Sequence, residues 1–163
     1  QPGSSFKPIV YATAFKEGYT PDTVLFDLAT QFSTSCSPSD THNNVYPCYA
    51  PKNYDDQFRG PMTLRNALAQ SINIPAVKML KLNSVEAMIA TASAMGISTF
   101  EDPSRYGLSL TLGGGEVTMH DMAQAFGVFA NQGYRVDVTP ILKVTKAGDG
   151  KVLEEYKPPK SQK

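Results

Sequence analysis

Ser4-Ser5-Phe6-Lys7-Pro8 is the stretch on which the reading of this chain turns. A Ser three positions before a Lys, at the head of an apolar-periodic run, puts both residues on one helix face almost one turn apart. Their side-chain heads can then come within hydrogen-bond reach. A neutral Lys amine can take the Ser proton as the hydroxyl attacks a carbonyl. Ser5 lies two residues from Lys7 and points to a different side. Taken alone the pair is a weak signal, because Ser and Lys are common on solvated helix faces. The rest of the chain has to raise it.

Outward from that pair, the spacing predicts a helix from Ser4 to about Lys16. Phe6, Ile9, Val10 and Thr13 form one stripe, and Ser4, Lys7, Tyr11 and Ala14 a second. Pro8 is tolerated near the first turn and Gly18 ends the helix. Thr23 to Asp27 reads as a short strand inside an irregular stretch from 19 to 60, a loop long enough to be functional or partly disordered. Thr63 caps a helix carrying Leu64, Ala67 and Leu68. Pro75 opens another with Val77, Leu80 and Leu82, so Ser71-Ile72-Asn73-Ile74 is expected to be a non-helical link. A helix from about Ser84 to Met95 stops at Gly96.

Tyr106 to Leu112 alternates loosely and runs into Gly113-Gly114-Gly115, read as a strand-to-helix turn. Thr118 then caps a helix to about Gln132 with Met122, Ala123, Phe126 and Phe129 inward. Ile141 to Val144 and Lys151 to Glu154 form a hairpin around Ala147-Gly148-Asp149-Gly150. Tyr156 to Lys163 reads as a polar linker. Several amphipathic helices plus a hairpin make the fold class α+β, mostly helical.

The 163 residues suffice for one domain, and the formal net charge of zero, without a basic run, gives no pull toward nucleic acid. No apolar stretch is long enough to span a bilayer and no signal peptide is present. The chain reads as a piece of a longer protein, since its candidate nucleophile is the fourth residue. Cys36 and Cys48 lie in a polar stretch. They are either a disulfide, if the protein is exported, or two free thiols in a reducing compartment. No cofactor and no metal site is expected, because there is no Cys-x-x-Cys and His42 and His120 are far apart.

A Ser–Lys acyl-transfer site also needs a second hydroxyl to pass a proton to the leaving group and an amide to orient the Lys. Ser71 and Asn73 have those chemistries, and a Ser-x-x-Lys with a Ser-Asp-Asn-type motif and a Lys-Thr-Gly strand is the pattern of β-lactamases and penicillin-binding proteins. Gln1 to Pro8, Tyr49-Ala50-Pro51-Lys52-Asn53-Tyr54-Asp55, Gly60 to Lys78 (GPMTLRNALAQSINIPAVK), Tyr106 to Thr118 (YGLSLTLGGGEVT) and Phe129 to Gly133 follow in order. With these stretches the chain resembles the transpeptidase domain of penicillin-binding proteins, most closely the bifunctional class A type.

The resemblance implies that residues 1–163 are a partial transpeptidase domain, the helical part of the penicilloyl-serine transferase fold without much of its sheet. It makes Ser4 the acylated nucleophile, Lys7 its base, Ser71 the proton relay, and Asn73 the group positioning Lys7 and substrate. The Ser4 backbone N–H becomes half of an oxyanion hole. The partners implied are peptidoglycan stem peptides, β-lactam antibiotics and the remainder of the parent chain. The implied place is the extracytoplasmic face of the bacterial membrane, in periplasm or cell wall.

The third motif of that family, Lys-Thr-Gly or Lys-Ser-Gly, is absent. Lys146-Ala147-Gly148 is a near miss that reads as the hairpin turn. Half a site is expected here, without catalysis from this chain alone.

The implied activity is D,D-transpeptidation in peptidoglycan cross-linking, with penicillin bound covalently at Ser4. Two alternatives stand beside it. One is a serine β-lactamase or D,D-carboxypeptidase on the same fold, although Ile72 replaces the Asp of a Ser-Asp-Asn and no Glu-x-x-Leu-Asn is present. The other is a non-catalytic penicillin-recognition module. Gly107-Leu108-Ser109 lacks the closing Gly of a nucleophile elbow. The Gly triplet lacks a P-loop Lys, and His120-Asp121 reads as solvated first-turn residues rather than part of a triad.

Overall fold

The computed structural model describes residues 1–157. It begins with a 3-10 turn, Gly3–Phe6, that runs directly into α1, Lys7–Lys16. Both predicted stripes, where they fall on α1, are buried, Lys7 included. Ile9, Val10, Tyr11, Thr13 and Ala14 all lie in the interior. It ends as a Schellman motif, with Gly18 N–H donating to Phe15 O and Tyr19 N–H to Ala14 O. Gly18 takes the left-handed φ of +96° that this ending requires.

Two short antiparallel strands follow, β1 (Val24–Asp27) and β2 (Gly60–Thr63), paired from Val24↔Thr63 to Asp27↔Gly60. Thr63 caps α2 (Leu64–Ala69) through a bond from Asn66 N–H. α3 (Asn73–Asn83) is the central helix. It packs on α1, α2, β1, a 3-10 segment Leu108–Leu112, and α4 (Val85–Ala94). Ser84 caps α4 through Ala87 N–H. α5 (Met119–Ala130) is capped by Thr118, and a second antiparallel pair, β3 (Lys143–Thr145) and β4 (Val152–Glu155), closes the described chain. The linker predicted from Tyr156 onward lies, from residue 158, outside the described residues. The architecture is α+β and mostly helical, with each sheet among the described residues two-stranded.

The irregular stretch between β1 and β2 is organised by side-chain chemistry. Cys36 and Cys48 form a disulfide. Gln31 is the hub inside it. Its Nε2 donates to the carbonyls of Asp40 and Asn43, and its Oε1 accepts from the N–H groups of Ser33 and Tyr49. Backbone groups that no strand or helix satisfies are thus paired within the loop.

Four expectations need correction. Asn73 and Ile74 are helical, not part of a link. The first N–H groups of a helix have no intrahelical acceptor, so Pro75 costs nothing at the third position. Leu108–Leu112 is a 3-10 helix rather than a strand, because Leu110 and Thr111 are neighbours in sequence yet both buried. α5 is rotated from the predicted face. Asp121, Gln124, Ala125 and Val128 point inward, while Ala123 is exposed and Phe126 and Phe129 remain 41% and 43% exposed. Asp121 is buried rather than solvated. It accepts from Ser98 N–H and Ser98 Oγ, both at 3.0 Å, and the backbone bond holds its carboxyl below the usual range.

Candidate active site

Lys7 is the one lysine in the interior of the described chain, with 0% of its surface exposed. The opening 3-10 turn places it there. Pro2 and Gly3 begin that turn, Lys7 N–H donates to Ser4 O, and the helix carries the side chain toward the junction of α2 and α3. An ammonium stripped of water needs acceptors. Lys7 Nζ has three: Asn73 Oδ1 at 2.7 Å, Ser71 O at 2.5 Å and Ser71 Oγ at 3.1 Å. Burial nevertheless disfavours the charge and lowers the Lys7 pKa to about 8. The carbonyl and the amide oxygen can only accept, so two N–H groups of a neutral amine are committed to them. Its lone pair is then left for a hydroxyl.

The junction that supplies these acceptors is itself shaped by backbone conformation. α2 ends as a Schellman motif, with Ser71 N–H to Leu68 O and Ile72 N–H to Ala67 O. Ser71 occupies the left-handed position, φ +55°, where Gly is the usual residue. That conformation brings the Ser71 carbonyl and hydroxyl to the same amine. Asn73 then opens α3. Its Nδ2 donates to Lys52 O at 2.7 Å, leaving Oδ1 for Lys7. One N–H and one lone pair of the Asn73 amide remain uncommitted.

Ser4 is exposed at the rim of this cluster, in the 3-10 turn. Among the described residues Lys7 donates to Ser71 and Asn73, not to Ser4. The side-chain bond allowed by the Ser4–Lys7 spacing is not formed; the hydrogen bonds of the amine run to Ser71 and Asn73. Ser5 turns away and donates to Pro2 O at 2.6 Å. The turn that carries Ser4 is backed by the glycine triplet. Gly113 has φ +77°, and a Cβ on it would lie 2.1 Å from the Gly3 backbone nitrogen. Only Gly allows that approach. Gly113 and Gly114 spend their N–H groups on Leu110 O and Ser109 O, which leaves neither for a phosphate.

Of the four sequence-predicted residues, Lys7, Ser71 and Asn73 are in direct contact, and Ser4 lies one backbone turn before Lys7. His120 sits on α5 with its ring 3.4 Å from Asp121 Oδ1, and that carboxylate is turned to Ser98. Lys146-Ala147-Gly148 lies in the β3–β4 turn. Sequence reasoning missed Asp27 and Asn53, both buried. Their signal was two polar residues in stretches otherwise read as a strand and a turn.

A family model described as the penicillin binding protein transpeptidase domain matches residues 1–163. The chain belongs to the penicillin-binding protein transpeptidase family. It is 34% identical over 160 residues to penicillin-binding protein 1A of Pseudomonas aeruginosa, covering 98% of this chain and 18% of that protein. It is 35% identical over 158 residues to penicillin-binding protein 1A of Neisseria meningitidis, covering 97% and 18%. The chain thus spans under a fifth of the length of the relatives it matches. Among solved structures, penicillin-binding protein 1A from Haemophilus influenzae superposes with a TM-score of 0.78 at 28% identity, covering 96% of this chain and 22% of that one. PonA1 from Mycobacterium tuberculosis in complex with penicillin V superposes at 0.74 and 21% identity, covering 94% and 40%, a likeness of fold.

Proposed function

We propose that this chain carries the nucleophile half of a D,D-transpeptidase site, and that Ser4 is the acylated residue. The observation that carries the reading is the buried Lys7 amine, its pKa brought to about 8 and its hydrogen bonds made to Ser71 and Asn73. Ser4 Oγ attacks the carbonyl carbon of the penultimate D-Ala of a stem peptide, and its proton passes to neutral Lys7. The tetrahedral intermediate collapses, the C–N bond breaks, and the proton returns through Ser71 to the departing D-Ala amine. An ester at Ser4 remains. An amine of a neighbouring stem attacks it, forms the cross-link and restores the hydroxyl.

A β-lactam follows the same first step, except that its ring C–N bond opens and the leaving amine stays attached. Asn73 uses its spare N–H and lone pair on the substrate amide. The Ser4 N–H, in the first turn where no helical acceptor exists, is one donor to the oxyanion. The Cys36–Cys48 disulfide supports an extracytoplasmic setting for this chemistry.

The test is mass spectrometry of the natural protein at its full length after reaction with a labelled penicillin. The expected adduct lies on the peptide containing Ser4 and disappears in Ser4→Ala. An adduct elsewhere, or one that survives that substitution, sinks the assignment.

A further inference from the structure

Asp27 and Asn53 are among the few polar side chains shut off from solvent, 0% and 4% exposed, and neither belongs to the Ser–Lys pattern. Asp27 closes β1 and Asn53 lies in the long loop before β2. Asn53 Nδ2 donates to both Asp27 oxygens, at 2.9 and 3.0 Å, and to Gln57 O at 2.7 Å. Asn53 Oδ1 accepts from Asn73 N–H at 2.9 Å and from Ile74 N–H at 3.4 Å. The amide has one possible orientation. Turned over, it would set donors against two N–H groups and an acceptor against a carboxylate.

The α3 N-terminus needs this partner. Ile72, its N-cap residue, has no side-chain acceptor, so a residue twenty positions away does the capping. The preceding residue completes the hold, since Lys52 O accepts from Asn73 Nδ2 at 2.7 Å. Asn73 is thereby fixed at its backbone and at its side chain by two consecutive residues. What remains free to turn toward Lys7 is Oδ1, at 2.7 Å. Asp27 is held in turn by Arg59 N–H at 2.9 Å.

We propose that Asn53, oriented by Asp27, is a positioning residue for Asn73 and, through it, for Lys7. The inference rests on the acyl-transfer reading above. Neither residue touches the reacting atoms. Their contribution is the placement of the amide that orients the base, and a displacement of about 1 Å at such a group costs on the order of 100-fold in rate.

The experiment uses the natural protein at full length and a fluorescent penicillin at saturating concentration. Two quantities are read for each variant: the fraction labelled at completion, which reports how much protein is folded, and the first-order rate constant, which reports the competence of folded molecules. Asn53→Ala is expected to slow the rate constant by about 10- to 100-fold. Asp27→Asn, nearly isosteric and the safer variant to fold, is expected to slow it by at least about threefold. Because Asp27 acts through Asn53, adding Asp27→Asn to Asn53→Ala should cost less than about twofold more.

Wild-type rate constants in both single variants overturn the proposal, even if the labelled fraction drops, since that pattern belongs to residues that only help the chain fold. Multiplying effects in the double variant overturn the role of Asp27. If Asn53→Ala does not fold, Asp27→Asn decides alone. Ser4→Ala separates the two readings. Label persisting there removes both, whereas its loss alongside normal rates in the Asn53 and Asp27 variants removes this inference only.

Discussion

α1 and α5 are similar in length, and both look amphipathic with aromatic residues at helical spacing, yet the fold treats them differently. α1 is enclosed up to its last two residues, Phe15 and Lys16. Even Lys7 is out of water, and Phe6, just before the helix, stacks edge-on against Phe100 at 5.7 Å. α5 lays a mixed strip of Asp121, Gln124, Ala125 and Val128 on the core. Its two phenylalanines face outward, paired edge-to-face with each other at 5.9 Å. Hydrophobic periodicity says that a helix has a face; it does not say which neighbour covers it. Enclosure of α1 is also what gives Lys7 its chemistry, because desolvation is the cause of its lowered pKa.

The sharpest way to break this comparison is at Lys7. Lys7→Met keeps the volume and removes the amine, and it is expected to lower the rate of penicillin acylation by about 10²- to 10⁴-fold. With Lys7 in place, the acylation rate should rise with pH through about 8, as the amine becomes neutral. Stability should shift as well. Between about 8 and the ordinary lysine value of 10.5 the unfolded chain holds a proton that the folded chain has released, so stability rises with pH across that window. A flat rate profile from pH 6 to 9 contradicts a desolvated base.

Packing comes next. Ile9→Ala on α1 should cost about 2–5 kcal/mol in urea denaturation, because the fully enclosed site cannot collapse onto the void. Phe129→Ala on α5 removes a larger side chain but should cost only about 0.5–1.5 kcal/mol, chiefly the lost pairing with Phe126. A larger loss at Phe129 than at Ile9 reverses the contrast between the helices and means that something covers α5. The smallest effect is expected at the helix ends. Thr118→Ala, which deletes the acceptor for Asp121 N–H, should cost about 1 kcal/mol by the same measurement.

Local signals carried far in this chain. Thr63 and Thr118 cap the helices they precede, Gly18 and Gly96 end theirs, and Ala147 to Gly150 turns the hairpin. Each is decided within a few residues by backbone conformation or a capping oxygen, which is why single-sequence reasoning finds it. Ser4, Lys7, Ser71 and Asn73 were legible for a different reason. On the proposed reading they are nucleophile, base, relay and amide, a chemical set that can be assembled before its members are known to meet.

Contacts across the chain were not legible. The cap of α3 comes from Asn53, so the start of that helix could not be read from Ile72 or Pro75. The outward turn of Phe126 follows from Asp121 and Gln124 finding partners in Ser98 and Asp137. The choice of Lys7 for Ser71 and Asn73 over Ser4 depends on a junction some sixty residues further on.

At Ser71 the demands of backbone conformation and of the proposed chemistry oppose each other. Its left-handed backbone would be relieved by about 1–2 kcal/mol if the residue were glycine, a single-codon change that improves folding. On the proposed reading the same change deletes the hydroxyl that returns the proton. A lineage that stops needing the reaction is therefore free to drift to glycine here and gains stability as it does so. Among descendants of such a chain, glycine at this position would be the fossil of a retired enzyme, and serine the mark of one still paying the strain to stay at work.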